Sequence, residues 1–315
     1  MDSVRLDTVD LRLLHALQID GRAPFSRIAE VLDVSDRTVA RRFARLRAHG
    51  VARVCGVPDN HRLGRSEWLL RLRVRPGGAE VVARDLARRG DTGWVSVLAG
   101  GAEVTAILRV EGEGALPLRA LSGHSQVVGV EAQRLLRHLT EQRWRGRTSA
   151  LSATEVAALD TVANDAAPIT LTDLDRRLLP ALARDGRADY PSLAAAVGWS
   201  ESAVRRRLDE LRHRGAVRFD VEIDAAALGF PVHSLLSLNV APARLTAVAR
   251  ALAAHPEIAF AGATTGPHNM IAIVVCRDAV ALFDYLTDRI GALTGIERME
   301  SAPITGIAKR AAPAA

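Results

Sequence analysis

The chain has 315 residues, 48% hydrophobic and 25% charged, with a formal net charge of +6 and a pI near 10.4. That length predicts two to four domains, at ~100 to 200 residues each, and the apolar content suits several cores and excludes disorder throughout. A basic balance favours nucleic acid or another polyanion as partner; because Lys309 is the sole lysine and the rest of the charge is arginine, local placement carries more weight than the total.

The opening stretch MDSVRLDTVDLRLL lacks a signal-peptide core, and the longest apolar run, near Met270 to Cys276, is too short to span a bilayer. A cytoplasmic protein with no membrane partner is expected. Asp7 precedes Val9, Leu13, Leu14 and Leu17, an apolar set at helical spacing that stops at Asp20 and Gly21. Ser26 is expected to cap a short helix carrying Ile28, Ala29 and Leu32. After Asp33 and Val34, Ser35 caps a third helix that runs to Gly50. Two helices joined by so short a turn have helix-turn-helix geometry.

On the third helix Val39, Phe43 and Leu46 form the inward stripe, which sends Arg37, Arg41 and Arg45 to the opposite side with Arg42 on a flank. Such a face can neutralise phosphates and donate bidentately to guanine edges in the major groove. Ser35, Arg37, Thr38, Arg41, Arg42 and Arg45 are therefore the candidate DNA contacts, with double-stranded DNA the expected partner. From Trp68 to Leu136 the periodicity switches to the order βαββαβ, with a tight connection at Gly100 to Glu103. GEG at Gly112 to Gly114 is too short for a phosphate cradle and precedes a helix with Pro117 in its first turn.

The chain then repeats itself. Asp10 to Gly64 aligns without a gap on Asp175 to Gly229 at an offset of 165, so that DGRA of Asp20 to Ala23 recurs at Asp185 to Ala188. Further on the offset is 166, placing LLRLRV from Leu69 over LLSLNV from Leu235, and GVE from Gly129 over GIE from Gly295. Between the halves, Arg143 to Thr170 has no counterpart, and SATE at Ser152 to Glu155 is a capping-box pattern that predicts a linker helix. In the second copy Gly198 suits a left-handed turn position that Asp33 fills in the first.

The second third helix keeps its stripe of Val204, Leu208 and Leu211, but its outward positions read Ser202, Arg206 and Glu210, beside Asp209. Ser200, Ser202, Arg205, Arg206 and Arg207 are its candidate DNA contacts, on a less positive face. Strands are expected at His233 to Ala241, Ile258 to Thr264, Met270 to Cys276 and Ile296 to Pro303, with helices at Arg244 to Ala254 and Ala279 to Gly291. The expected class is α+β: two winged-helix-like helix-turn-helix domains, 1–64 and 171–229, and two ferredoxin-like βαββαβ domains, 65–142 and 230–310, with a linker over 143–170.

A helix-turn-helix, a short strand ending in the LG pairs Leu63-Gly64 and Leu228-Gly229, and a βαββαβ domain with the loop TTGPHN from Thr264 resemble the Lrp/AsnC family of transcription regulators. Its members usually carry one such unit and pair through the βαββαβ domains, so this chain resembles a tandem fusion. The resemblance implies sensing of an amino acid or related metabolite at the TG-containing loop, here Thr264, Thr265, Gly266, His268 and Asn269. In the first copy that position holds Gly100, Gly101, Ala102 and Glu103, which departs from the pattern, with Gly100, Gly101 and Glu103 the corresponding effector contacts. It also implies homo-oligomers through the sensor domains.

Siroheme decarboxylases resemble the same unit and form the alternative, but only Tyr190 and Tyr285 are present and no His/Tyr/Arg cluster follows either LG pair. No catalytic, metal or cofactor site is expected: His233, His255 and His268 lack ligand spacing with Cys276 and read as surface or loop residues. Cys55 and Cys276 read as buried apolar thiols.

Overall fold

A computed structural model describes residues 5–112, 116, 121–140, 150–160 and 169–310. Of the helix expected after Gly114, Pro117 and most of the remainder lie outside the described residues, as does most of the linker. Two compact units emerge, and each draws on both repeats: described residues of Met1–Gly64 and Arg147–Leu228 form one, those of Arg65–Gly146 and Gly229–Ala314 the other.

In the first unit α1 (Thr8–Ile19), α2 (Phe25–Leu32) and α3 (Asp36–Ala48) lead into β1 (Ala52–Pro58). Ser35 is the N-cap of α3, its hydroxyl accepting from the Thr38 amide, and Asp33 ends α2 in the left-handed conformation at φ 55°. Ser26 does not cap α2; the helix begins at Phe25 after Pro24, with no side-chain cap. Pro24 loses nothing there, since first-turn amides have no helical acceptor and a proline has no N–H to leave unpaired.

The linker supplies α5 (Ala153–Leu159), capped by a two-way bond set between Ser152 and Glu155. It lies against α1 and α2 through a fully buried Leu159, an Arg12–Glu155 ion pair and an Arg27 guanidinium that donates to the Ala158 carbonyl. His15 of α1 accepts the Ala150 and Leu151 amides on its Nδ1. Then α6 (Asp173–Arg184), α7 (Tyr190–Val197), α8 (Glu201–His213) and β6 (Val217–Ile223) repeat the pattern.

The two copies close on each other about a pseudo-twofold axis. β1 pairs antiparallel with β6, Ala52 opposite Ile223 and Pro58 opposite Val217. The duplicated DGRA turns clasp reciprocally: Arg22 donates to the carbonyls of Gly186 and Ala188, and Arg187 to those of Gly21 and Ala23. Arg187 sits 4.0 Å above the Phe25 ring and Arg22 5.1 Å above Tyr190. Burial, helped by the neighbouring Arg22, pushes the Arg187 guanidinium down to about 10, still charged at neutral pH. One core runs through both copies, from Leu13, Leu17 and Phe43 to Leu182, Leu208 and Phe219.

That closeness gives a test. A Cβ on Gly56 of β1 would lie 2.7 Å from the Leu182 Cβ, so Gly56→Ala is expected to cost about 1–3 kcal/mol, as overpacked cores do. A urea midpoint unchanged from the parent chain would contradict the tight crossing.

The second unit holds β2 (Arg65–Val74), α4 (Ala79–Arg88), β3 (Thr92–Leu98), β4 (Glu103–Glu111) and β5 (Val127–His138) from repeat one. Repeat two adds β7 (Val232–Val240), α9 (Leu245–Ala254), β8 (Ile258–Thr264), β9 (Met270–Cys276), α10 (Ala279–Asp284) and β10 (Ile296–Lys309). After α10 the expected helix continues as a wider π-turn over Tyr285–Ile290. Strand orders β5-β2-β4-β3 and β10-β7-β9-β8 are those of the ferredoxin-like fold. The edges of the two sheets join, β5 to β8 and β10 to β3, closing one eight-stranded barrel. Closure explains why β10 runs past Pro303: its first half pairs with β7, and Ile304 to Lys309 pair with β3. Leu69, Ile107, Leu135, Leu235 and Ile271 fill the barrel, with Cys276 in the helix-side core. Both thiols are buried.

Candidate nucleic-acid interface and ligand cavity

The predicted DNA contacts divide into free and clamped side chains. On α3, Arg37 and Arg41 are exposed, and the described residues offer neither guanidinium a partner. Arg42 instead turns back to the start of α1, where its Nη1 donates to Asp7 and to Asp10. Arg45 also pairs with Asp10, whose carboxylate is fully buried, yet stays 41% exposed. Asp7 and Asp10 form the capping box of α1, so these arginines tie the third helix to the first.

On α8, Arg207 repeats the clamp: its Nε lies 2.9 Å and its Nη2 2.6 Å from the buried Asp175, and its Nη1 2.7 Å from Glu210. Burial alone would raise the Asp175 carboxyl, but the bonds from Arg207 and Thr172 outweigh it and hold the group below the usual carboxylate range. Arg205 pairs with Glu201 at 2.9 Å and stacks 3.9 Å over Tyr190. Of the α8 arginines, Arg206 alone is exposed without a partner among the described residues. Ser200 caps α8, its hydroxyl accepting from the Ala203 amide and lying 3.2 Å from that of Ser202. Ser35 and Thr38 share a 2.9 Å hydroxyl contact in the same place on α3.

In the barrel unit the TG-containing loop folds over β5 of the other repeat. Thr265 exchanges bonds with the Arg134 backbone, donating its amide to the carbonyl and accepting the amide on its hydroxyl. Gly266 is held at φ 95°, a conformation strained for other residues, and a Cβ there would press on Gln133 at 3.0 Å. Thr264 donates to the His268 carbonyl, and Asn269 bonds both backbone groups of Val240, so both hold the loop's shape. Gly100 and Gly101 form a positive-φ turn and do not line the cavity described next.

A cavity of about 260 Å³ opens between β2, β4, β5, this loop and β10, lined by Arg71, Arg73, Glu103, Glu131, His268 and Glu300. It unites two predicted residues, Glu103 and His268, with four that sequence reasoning missed. Arg71 is held by Glu103 and by Glu300, each 2.7 Å from its Nη2. The Arg71 bond keeps Glu300 ionised, below its usual range. His268 is 8% exposed rather than a surface residue, its Nε2 3.8 Å from Glu300 and its Nδ1 without a partner among the described residues. The missed signal was alternation: Arg71 and Arg73 share the inward face of β2 with Leu69, where charge needs a reason.

Family models match at both ends of the architecture. The AsnC-type helix-turn-helix domain matches residues 6–47 and again 171–212, and the Lrp/AsnC ligand binding domain matches 235–313. The chain belongs to the Lrp/AsnC family. It has the make-up of an Lrp/AsnC-type transcriptional regulator, with duplicated helix-turn-helix domains and a ligand-binding domain. An uncharacterised HTH-type transcriptional regulator of Pyrococcus furiosus is 31% identical over 140 residues, 44% of this chain and 95% of its own length. The HTH-type transcriptional regulator FL11 of Pyrococcus horikoshii is 29% identical over 130 residues, 41% of this chain and 85% of its own. Each therefore corresponds to about one repeat. Among solved structures, the siroheme decarboxylase NirDL shares the fold over 96% of this chain and 93% of its own, with TM-score 0.64 at 15% identity. No helix among the described residues is long and apolar enough to cross a membrane.

Proposed function

We propose that this family member is a sequence-specific DNA-binding regulator that reads its operator chiefly through α3 and answers a small metabolite, an amino acid or a relative of one, in the barrel unit. The observation that carries the reading is the pair of unclamped arginines, Arg37 and Arg41, on an exposed, capped recognition helix. At the same positions α8 offers Ser202 and Arg206, flanked by Glu201 and Asp209. Tandem fusion supports a built-in pseudo-dimer: the pairing that family members make between chains is made inside one, at high effective concentration. Further pairing of chains through the barrel units follows from the family habit, in the cytoplasm where operator DNA lies.

The test is a mobility shift with DNA from upstream of the protein's own gene, measured across salt concentrations. Retardation that weakens linearly in log salt is expected; no retardation at low salt sinks the reading. The decarboxylase alternative rests on fold alone. Tyr190 stacks under Arg205 in the helix-turn-helix unit and Tyr285 is buried against His255, so neither joins His268 at the cavity. A tetrapyrrole titration followed by absorbance separates the two readings, with no binding expected.

A further inference from the structure

We propose that the barrel cavity is a single ligand site per chain, selective for a small alkylammonium compound of net positive charge. This rests on the reading of the chain as metabolite-responsive and names the chemistry of that response. Three carboxylates, Glu103, Glu131 and Glu300, face two guanidiniums, Arg71 and Arg73, which leaves the lining one negative charge in excess. Arg71 is already committed to Glu103 and Glu300, so it has little left to give an anion.

Two buried acceptors in and beside the cavity have no donor among the described residues. Gln133, 2% exposed, sits beside the lining, where its amide N–H goes to Glu131 and its Oε1 has no partner among the described residues. His268, 8% exposed, has an Nδ1 unpartnered among the described residues, an acceptor in the tautomer whose Nε2 proton faces Glu300. Buried acceptors without donors are costly. A primary ammonium brings three N–H donors and one positive charge, matching Glu131, the orphaned acceptors and the excess charge together. With a water's share of volume at about 30 Å³, the cavity admits a compound of a few to roughly ten heavy atoms. Arg73, exposed at the rim beside Gly129, is placed for a carboxylate when the ligand carries one.

The site is one-sided although the barrel is pseudo-symmetric. At the offset of 166, Arg71, Arg73 and Glu103 become Ser237, Asn239 and Asn269, His268 becomes Ala102, Gln133 becomes Met299 and Glu300 becomes Arg134. Asn269 spends its amide on Val240, and of the acceptor set only Glu131 keeps a carboxylate, at Glu297. The duplicated sequence therefore does not repeat this lining at the mirror position.

Isothermal titration of the full chain with L-lysine, 1,4-diaminobutane, L-leucine and L-glutamate tests this. The two cationic probes are expected to bind one per chain, L-leucine at least tenfold more weakly, and L-glutamate not at all. Glu131→Gln should weaken both cationic probes at least tenfold, while Glu297→Gln at the mirror position should leave them unchanged. Arg73→Ala separates the sources, weakening L-lysine and sparing the diamine. Binding of neither cation, two sites per chain, equal binding of L-leucine or L-glutamate, or an unaffected Glu131→Gln variant overturns the proposal. The mobility shift run on the same preparation keeps the readings apart: DNA retardation without cation binding removes the cavity assignment alone, and cation binding without retardation removes the regulator alone.

Discussion

Replacing Arg37 and Arg41 together by alanine is expected to weaken binding of the full chain to its upstream DNA by one to two orders of magnitude. Both guanidiniums are exposed and unclamped among the described residues, so each is available to a phosphate or a base edge. A bidentate base contact is worth about 1–3 kcal/mol, and each neutralised phosphate adds about 0.9 to the slope of log affinity against log salt. If both arginines touch phosphates, the slope falls by roughly 1.8. Arg206→Ala, removing the lone unclamped arginine of α8 beside two acids, should cost less than the double variant. Fluorescence anisotropy at several salt concentrations reads both quantities. An Arg206 variant that loses as much as the α3 variant would reverse the ranking of the two readers.

Asp175→Ala is expected to destabilise the helix-turn-helix unit by about 3–5 kcal/mol, the usual cost of removing one partner from a buried ion pair. The carboxylate is fully buried, caps α6 together with Thr172, and receives two bonds from Arg207, itself 13% exposed. Its loss leaves a largely buried guanidinium with only Glu210 and the Thr170 carbonyl among the described residues. Urea unfolding monitored by circular dichroism measures the change; a shift under about 1 kcal/mol, the range of exposed ion pairs, would mean the clamp is solvated. The pH dependence has a definite sign. The folded carboxyl titrates below its unfolded value of about 3.9, so its contribution is complete above about pH 4 and is lost as pH falls through the depressed folded value. In the alanine variant that acid-side component of the stability curve should be missing.

The same clamp shows where reading from sequence stops. Angular spacing placed Arg37, Arg41 and Arg45 on one outward face, and the helix does expose them. Spacing measures direction around one helix, whereas a long guanidinium side chain can reach a neighbouring helix. Asp10 and Asp175 lie 32 residues before their arginines, a separation that carries no periodic signal. The cavity was half legible for a related reason. The loop containing His268 was visible as a motif, and Arg71 and Glu131 face each other across the β2–β5 pair of one repeat, but only barrel closure brings Glu300 of the other repeat to them.

By itself the sequence determined the local and the repeated: helix caps at Ser35 and Ser200, the left-handed turn at Gly198, the alternating strands, and the duplication. These follow from neighbours within a few residues, where backbone sterics and hydrogen-bond supply decide the outcome. Tertiary structure alone decided what the duplication is for. DGRA occurs twice because each Arg22 or Arg187 is satisfied by the carbonyls of the other copy, and each sheet edge is satisfied by the other repeat's edge. Backbone groups and charges taken from water must find partners wherever the chain brings them, and for this chain those partners lie about 165 residues away.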